Sequence, residues 1–160
     1  MTTADGSATT SGFEHLMTSP LVAEIEFLNA RARAVGSSLA NARLAEHGLR
    51  VRSYSVLMLA SDGLRPTQRQ LAEFLRLDPS QIVSIVDGLE SAGLVERRAD
   101  PSDRRSKVIV ATAEGERVRE RAAQAAAEAE GEALRALSIS EREQLRELMT
   151  KVAFAAVDGS

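Results

Sequence analysis

The stretch from Thr67 to Gln81 holds two helix-start signals in close succession, and few folds accommodate that. Thr67 and Gln70 stand at N-cap and third-position spacing, so each side chain can accept a bond from the other's backbone N–H at the head of "QRQLAEFL". Asp78, Pro79 and Gln81 repeat the device with a capping carboxylate, a proline where the missing N–H costs nothing, and an amide in third place. Two capped helices separated by a short break make a helix-turn-helix. In the second, Ile82, Ile85, Val86 and Leu89 mark an inward face, and Ser80, Gln81, Ser84 and Asp87 an outward one. Gly93 suits the residue just past its end.

A hairpin comes next. "LVERR" at 94–98 and "KVIVA" at 107–111 have strand composition and flank a loop containing Pro101. Its charge is unusual for this chain. The formal net charge is −3, yet residues 97–107 hold Arg97, Arg98, Arg104, Arg105 and Lys107 against Asp100 and Asp103. A basic hairpin directly after a helix-turn-helix is a wing, suited to DNA backbone or minor groove. A duplex carries one negative charge per ~1.7 Å of axis, so local charge can outweigh an acidic total. The arginines are therefore expected to have a partner outside the chain, in place of Asp100 and Asp103 alone.

Long helices flank this unit. Leu21, Ile25, Leu28, Ala32, Val35, Leu39 and Ala42 draw one apolar stripe that runs toward Gly48. A second helix, Val51 to Ser61, leaves little room for a polar face and is expected to be buried; "SDGLRP" then turns the chain. Thr112 caps an alanine-rich helix, and Ser138 with Glu141 opens a last one carrying Leu145, Leu148, Met149, Val152 and Ala156. The first and last stripes exceed what one small lobe can cover, which a symmetric dimer would resolve. Residues 1–20 are too rich in Thr, Ser and Gly to offset the entropy of ordering, and are expected to be a flexible arm, with a short docked turn at Phe13, Leu16 and Met17 as the alternative.

Several functions are excluded or disfavoured. There is no cysteine, so disulfides, thiolate metal sites and thiol switches are ruled out. No apolar run approaches the ~20 residues of a membrane span, and no basic-plus-apolar leader opens the sequence, so a cytoplasmic protein without membrane attachment is expected. His15 and His47 lie far from any patterned nucleophile, and no phosphate loop or zinc motif is present. Neither enzymatic activity nor a metal or cofactor is expected.

Residues 67–115, from "TQRQLAEFL" through "GLVERR" and "DPSDRR" to "TAEG", resemble the core of the MarR (multiple antibiotic resistance regulator) family of bacterial winged-helix transcription factors. The resemblance extends over roughly residues 21–157. It does not cover the arm at 1–20; beyond that it implies a dimerisation helix at 21–48, a DNA-binding lobe at 49–111 with its wing at 94–111, and further dimerisation helices at 112–157. It also implies a homodimeric repressor on a pseudo-palindromic operator, read by helix 79–92. By the resemblance, Arg105 is the wing arginine that enters the minor groove, and Asp103 and Asp78 are the carboxylates that brace it. The residues themselves add Ser80, Gln81 and Ser84 as base contacts, Gln68 and Arg69 as phosphate contacts, and Arg104 and Lys107 as further wing cations. The resemblance further suggests release by a small aromatic or phenolic effector; His47, Arg50, Arg52 and Tyr54 are candidates for holding it, although each has an ordinary structural explanation. A winged-helix module that binds protein without reading DNA is the alternative, and the acidic total would suit it.

Overall fold

The computed structural model describes residues 7–100, 103 and 105–155. Its elements are helices α1 (Ser7–Leu16), α2 (Ile25–Leu44), α3 (Val51–Ser61), α4 (Gln68–Leu75) and α5 (Pro79–Ser91), strands β1 (Val95–Ala99) and β2 (Lys107–Ala111), and helices α6 (Ala113–Ala133) and α7 (Ile139–Phe154). This is the mainly helical winged helix-turn-helix that the sequence predicts, with one two-stranded antiparallel sheet. Contacts divide the chain into two compact units, Met1–Ser37 and Ser38–Ser160.

In the first unit, Ser7–Leu16 is helical where composition alone pointed to an arm. The Arg31 guanidinium sits 5.1 Å from the centre of the Phe13 ring, an attraction between a cation and a π face that the compositional argument did not weigh. The long helix starts later than its apolar stripe. Pro20–Ala23 form a 3-10 turn, and Glu24 is extended (ψ 126°), so α2 begins at Ile25 and not at Leu21. At its other end α2 stops at Leu44, and a short 3-10 turn, Ala45–His47, leads to Gly48.

The second unit contains the core. Val56, Leu57 and Ala60 of α3 are buried together with Leu71 of α4, Ile82, Val86 and Leu89 of α5, and Val95 and Ile109 of the strands. Each element offers one apolar face to this cluster, as expected for the inward face of α5; α3, expected to be buried nearly all round, buries Val56, Leu57 and Ala60 and leaves Arg52 and Met58 exposed. The helix starts follow the sequence closely. Thr67 N–H donates to Gln70 Oε1 at 2.9 Å and Gln70 N–H to Thr67 Oγ1 at 3.2 Å, and Ser138 and Glu141 make the same reciprocal pair at 2.7 and 3.4 Å. Two glycines set the exit from α5 and the entry into α6. Gly93 takes φ +72°, its N–H reaching Glu90 O at 2.9 Å while Leu94 N–H reaches Leu89 O at 2.9 Å, so the last turn of α5 closes on its own carbonyls. At Gly115 a Cβ would fall 1.9 Å from the Leu94 carbonyl oxygen, so no other residue lets α6 start this close to the strand.

The hairpin pairs Val95 with Ala111 and Ala99 with Lys107. It is pinned to the helix-turn-helix from both sides. Ile109 N–H donates to Pro66 O at 2.8 Å, with a bridge between Thr67 and Val108, and on the other edge Arg97 N–H donates to Glu90 Oε1 at 3.0 Å. Helix α7 differs from all of this. None of its residues is buried, and Leu148, Met149 and Val152 are exposed, although the Phe154 ring comes within 6.1 Å of Phe74 in α4. Among the described residues no helix is long and apolar enough to cross a membrane.

Candidate nucleic-acid interface

Helix α5 begins at Pro79, with Asp78 as its cap. The carboxylate accepts from Ser80 N–H at 2.8 Å and from the Ser80 hydroxyl at 2.5 Å, both on Oδ1. The Ser80 hydroxyl bond and then its backbone bond hold the Asp78 carboxyl below the usual aspartate range. The capping box expected between Asp78 and Gln81 does not form: the carboxylate takes the Ser80 N–H, and the Gln81 N–H bonds the Asp78 backbone oxygen at 3.0 Å instead. Gln81 is consequently exposed at the head of the helix without its side chain committed to the cap. Ser80 and Ser84 are exposed on the same helix, as the outward pattern predicts.

Gln68 and Arg69 open α4, where backbone N–H groups and the helix dipole favour anions. They line an open groove of about 730 Å³ together with Glu73, Arg76, Pro79 and Val83. Val83 is 42 % exposed, one place past Ile82 and beside Ser84. It has no signature in the linear chain, because an isolated valine between two inward isoleucines signals nothing by itself. An exposed valine among polar residues can meet a thymine methyl in a major groove.

On the wing, Arg105 and Lys107 are exposed. Asp103 Oδ1 accepts from the Arg105 backbone N–H at 3.0 Å, and Oδ2 from the Ser106 hydroxyl at 2.9 Å. It therefore shapes the loop through the backbone, and among the described residues no ion pair joins it to the Arg105 guanidinium. Likewise Asp78 is bonded to Ser80, and among the described residues no wing arginine pairs with it. Arg104 lies outside the described residues.

Among the described hairpin cations, Arg97 and Arg98 have partners inside the chain, contrary to the expectation from local charge. The Arg97 guanidinium bonds Asp87 at 2.5 Å, Glu90, and Gln68 Oε1 at 2.9 Å, with its side chain 18 % exposed. Burial works against its charge, but the bonds to Asp87 and Glu90 outweigh that and raise its pKa above the ordinary arginine value. Arg98 pairs with Glu96 across the residue between them. For Arg97 the reason is register: α5 runs alongside β1, and its carboxylates meet the strand, which a count of charge along the sequence does not reveal; for Arg98 it is the strand's two-residue period, which puts Glu96 on the same face.

The residues proposed for an effector sit around the start of α3. Asn41 Oδ1 accepts from Val51 N–H at 2.9 Å and Ser53 Oγ from Arg50 N–H at 2.9 Å. Arg50 and Arg52 are exposed, His47 is half-buried, and Tyr54 packs on the core.

Comparison with known proteins places this architecture. A family model described as the MarR family matches residues 49–107. A transcriptional regulator (MarR family) from Rhodococcus sp. RHA1 is 40% identical, with a TM-score of 0.78 over 86% of this chain and 99% of its own. CouR from Rhodococcus jostii RHA1, solved bound to p-coumaroyl-CoA, is 42% identical, with a TM-score of 0.76 over 86% and 96%. A probable transcriptional regulator from Pseudomonas aeruginosa is 28% identical, with a TM-score of 0.72 over 81% and 96%. No curated protein matches the sequence. The winged helix-turn-helix, the matched core and the near-complete coverage of a 40%-identical regulator lead to one conclusion: this chain is a MarR-family transcriptional regulator.

Proposed function

We propose that the protein binds duplex DNA as a homodimer, inserting α5 into the major groove and the wing into the adjacent minor groove. It represses transcription by occupying a pseudo-palindromic operator. The observation that carries this reading is the first turns of α5, where Ser80, Gln81, Val83 and Ser84 are exposed on a helix whose cap uses Asp78 and Ser80 but not the Gln81 side chain. Gln81 can then pair with adenine through both amide atoms, the serines tolerate several bases, and Val83 favours a thymine methyl. Gln68 and Arg69 at the head of α4 fix the register on phosphates. Arg105 and Lys107 supply the wing's positive charge, joined by Arg104, while Asp103 holds the loop that presents Arg105. By resemblance, Asp78 and Asp103 also brace Arg105 once the duplex is in place.

Dimerisation is supported by the exposed apolar residues of α7 and by those of α2, Ile25, Leu28 and Val35. Two-fold symmetry then sets half-site centres ~10 bp apart. An aromatic effector releases the operator. Similarity to a regulator solved with p-coumaroyl-CoA supports an aromatic acid or its thioester as that effector class.

The test is duplex binding as a function of salt, using DNA from beside the protein's own gene. Affinity falls steeply with salt, and Arg105→Ala flattens the log–log slope by about 0.9, one phosphate's worth of released counterions. An Arg105→Ala protein with wild-type affinity and slope would remove the wing from the interface. Failure of the wild type to retain any such duplex in dilute salt would favour a protein-binding module instead.

A further inference from the structure

We propose that Arg97 is a positioning residue for DNA recognition, locking the side-chain amide of Gln68 with its N–H donors facing the phosphates and neutralising the two carboxylates that α5 would otherwise bring to the duplex. The inference rests on the DNA-binding reading above and deepens it. One side chain on β1 bonds three others. Nε donates to Gln68 Oε1 at 2.9 Å on the first turn of α4, Nη2 donates to Asp87 Oδ1 at 2.5 Å, and Nη1 donates to Glu90 Oε2, both on α5. Glu90 also accepts the Arg97 backbone N–H, so strand and helix are joined twice at this residue.

The consequence for Gln68 comes from donor chemistry. A guanidinium has five N–H donors and no acceptor, so a glutamine bonded to it must present its oxygen. Its NH2 group is then directed away from the guanidinium. Phosphate oxygens accept and never donate at neutral pH, so an amide fixed this way is committed to phosphate, whereas a freely rotating one spends part of its time with the wrong end forward. The consequence for α5 is electrostatic. Asp87 and Glu90 are both exposed on the recognition helix, and without Arg97 their charges would oppose the duplex. Lysine cannot replace it, because a single ammonium lacks the planar fork that reaches three partners on two helices.

A double-mutant cycle on operator affinity tests the coupling. Gln68→Ala is expected to weaken binding several-fold to about tenfold, Arg97→Lys at least as much, and the double variant no more than Arg97→Lys alone, since the amide is already misdirected there. Losses that multiply would overturn the inference, with the DNA-binding reading intact. A second measurement needs neither DNA nor a folded Arg97 variant. In the free wild type the Arg97 Nε–H should give a protected, slowly exchanging nuclear magnetic resonance signal, and Gln68→Ala should abolish that protection. A fast-exchanging signal in the wild type, or one that Gln68→Ala leaves unchanged, would sink the proposed lock. If the wild type binds no duplex, the proposed function fails by itself while this signal still reports on the lock.

Discussion

Helices α5 and α7 have similar lengths and both carry apolar residues at helical spacing, yet they end in opposite situations. In α5, Ile82 and Val86 are fully buried and Leu89 nearly so. In α7 nothing is buried, and Val152 stands 73 % exposed and Leu148 51 %. Much of the apolar surface of α5 and of its neighbours α3 and α4 is buried within the same chain, whereas in α7 Leu145 is half-buried and the Phe154 ring, beside Phe74, stays exposed. The winged-helix core is therefore self-sufficient, and the apolar stripe of α7 stays exposed, which the proposed function assigns to a second copy. A stripe that stays exposed at such length is costly unless a partner covers it.

Substitutions can break that comparison. The largest effect is expected inside the self-sufficient unit, at Gly115. Gly115→Ala places a methyl 1.9 Å from the Leu94 carbonyl oxygen, a backbone atom that cannot rotate away, and should cost about 3 kcal/mol or more in denaturant unfolding. A cost under about 1 kcal/mol would mean that the junction between β1 and α6 is looser than described. Ile82→Ala, which empties a fully buried position, should cost about 2–4 kcal/mol. On α7 the expectation reverses. Leu148→Glu with Val152→Glu should leave the unfolding of an isolated subunit nearly unchanged, yet convert a dimer to monomers in analytical ultracentrifugation and abolish operator binding. A dimer that survived both charges would move the subunit interface off α7.

Smaller effects sharpen the picture at the helix starts. Thr112 donates to Gly93 O at 2.6 Å and accepts from Gly115 N–H at 3.0 Å, so Thr112→Val should destabilise by about 1–2 kcal/mol by thermal or chemical melting. The smallest is a pH effect. The Asp78, Glu114 and Glu141 carboxyls all lie below their ordinary range, held there respectively by bonds from Ser80, from Arg117 and from Ser138. Their folded values are depressed, so the stability they contribute is complete above the unfolded values near ~4 and is lost as pH falls through the lower folded ones. Asp78→Asn keeps a capping oxygen but cannot titrate, and should remove its share of the acid sensitivity of the melting temperature. An unchanged acid profile in that variant would show that Asp78 does not contribute.

Much of the winged helix-turn-helix was legible in the linear chain because its signals are local. Capping at Thr67 and Ser138 depends on residues three places apart, and the outward face of α5 depends on helical period alone. The hairpin strands and Gly93 declared themselves by composition. Charge was the feature that misled. Arg97 looks like one more wing cation until α5 is laid beside β1, and then Asp87 and Glu90 claim it. The box expected at Asp78 and Gln81 also misled, since the carboxylate takes both donors of Ser80 instead.

The sequence alone determined where the capped helices α4, α5, α6 and α7 start, which face of α5 is apolar, and that no cysteine chemistry operates, because these depend on residue identity and on neighbours within one or two turns. Only the tertiary structure decided which charges remain available at the wing, why position 115 must be glycine, and which apolar stripe stays uncovered. Those outcomes depend on contacts between segments far apart in the chain, and the energy of an ion pair or a close approach is set by distance in space, on which spacing along the sequence is silent.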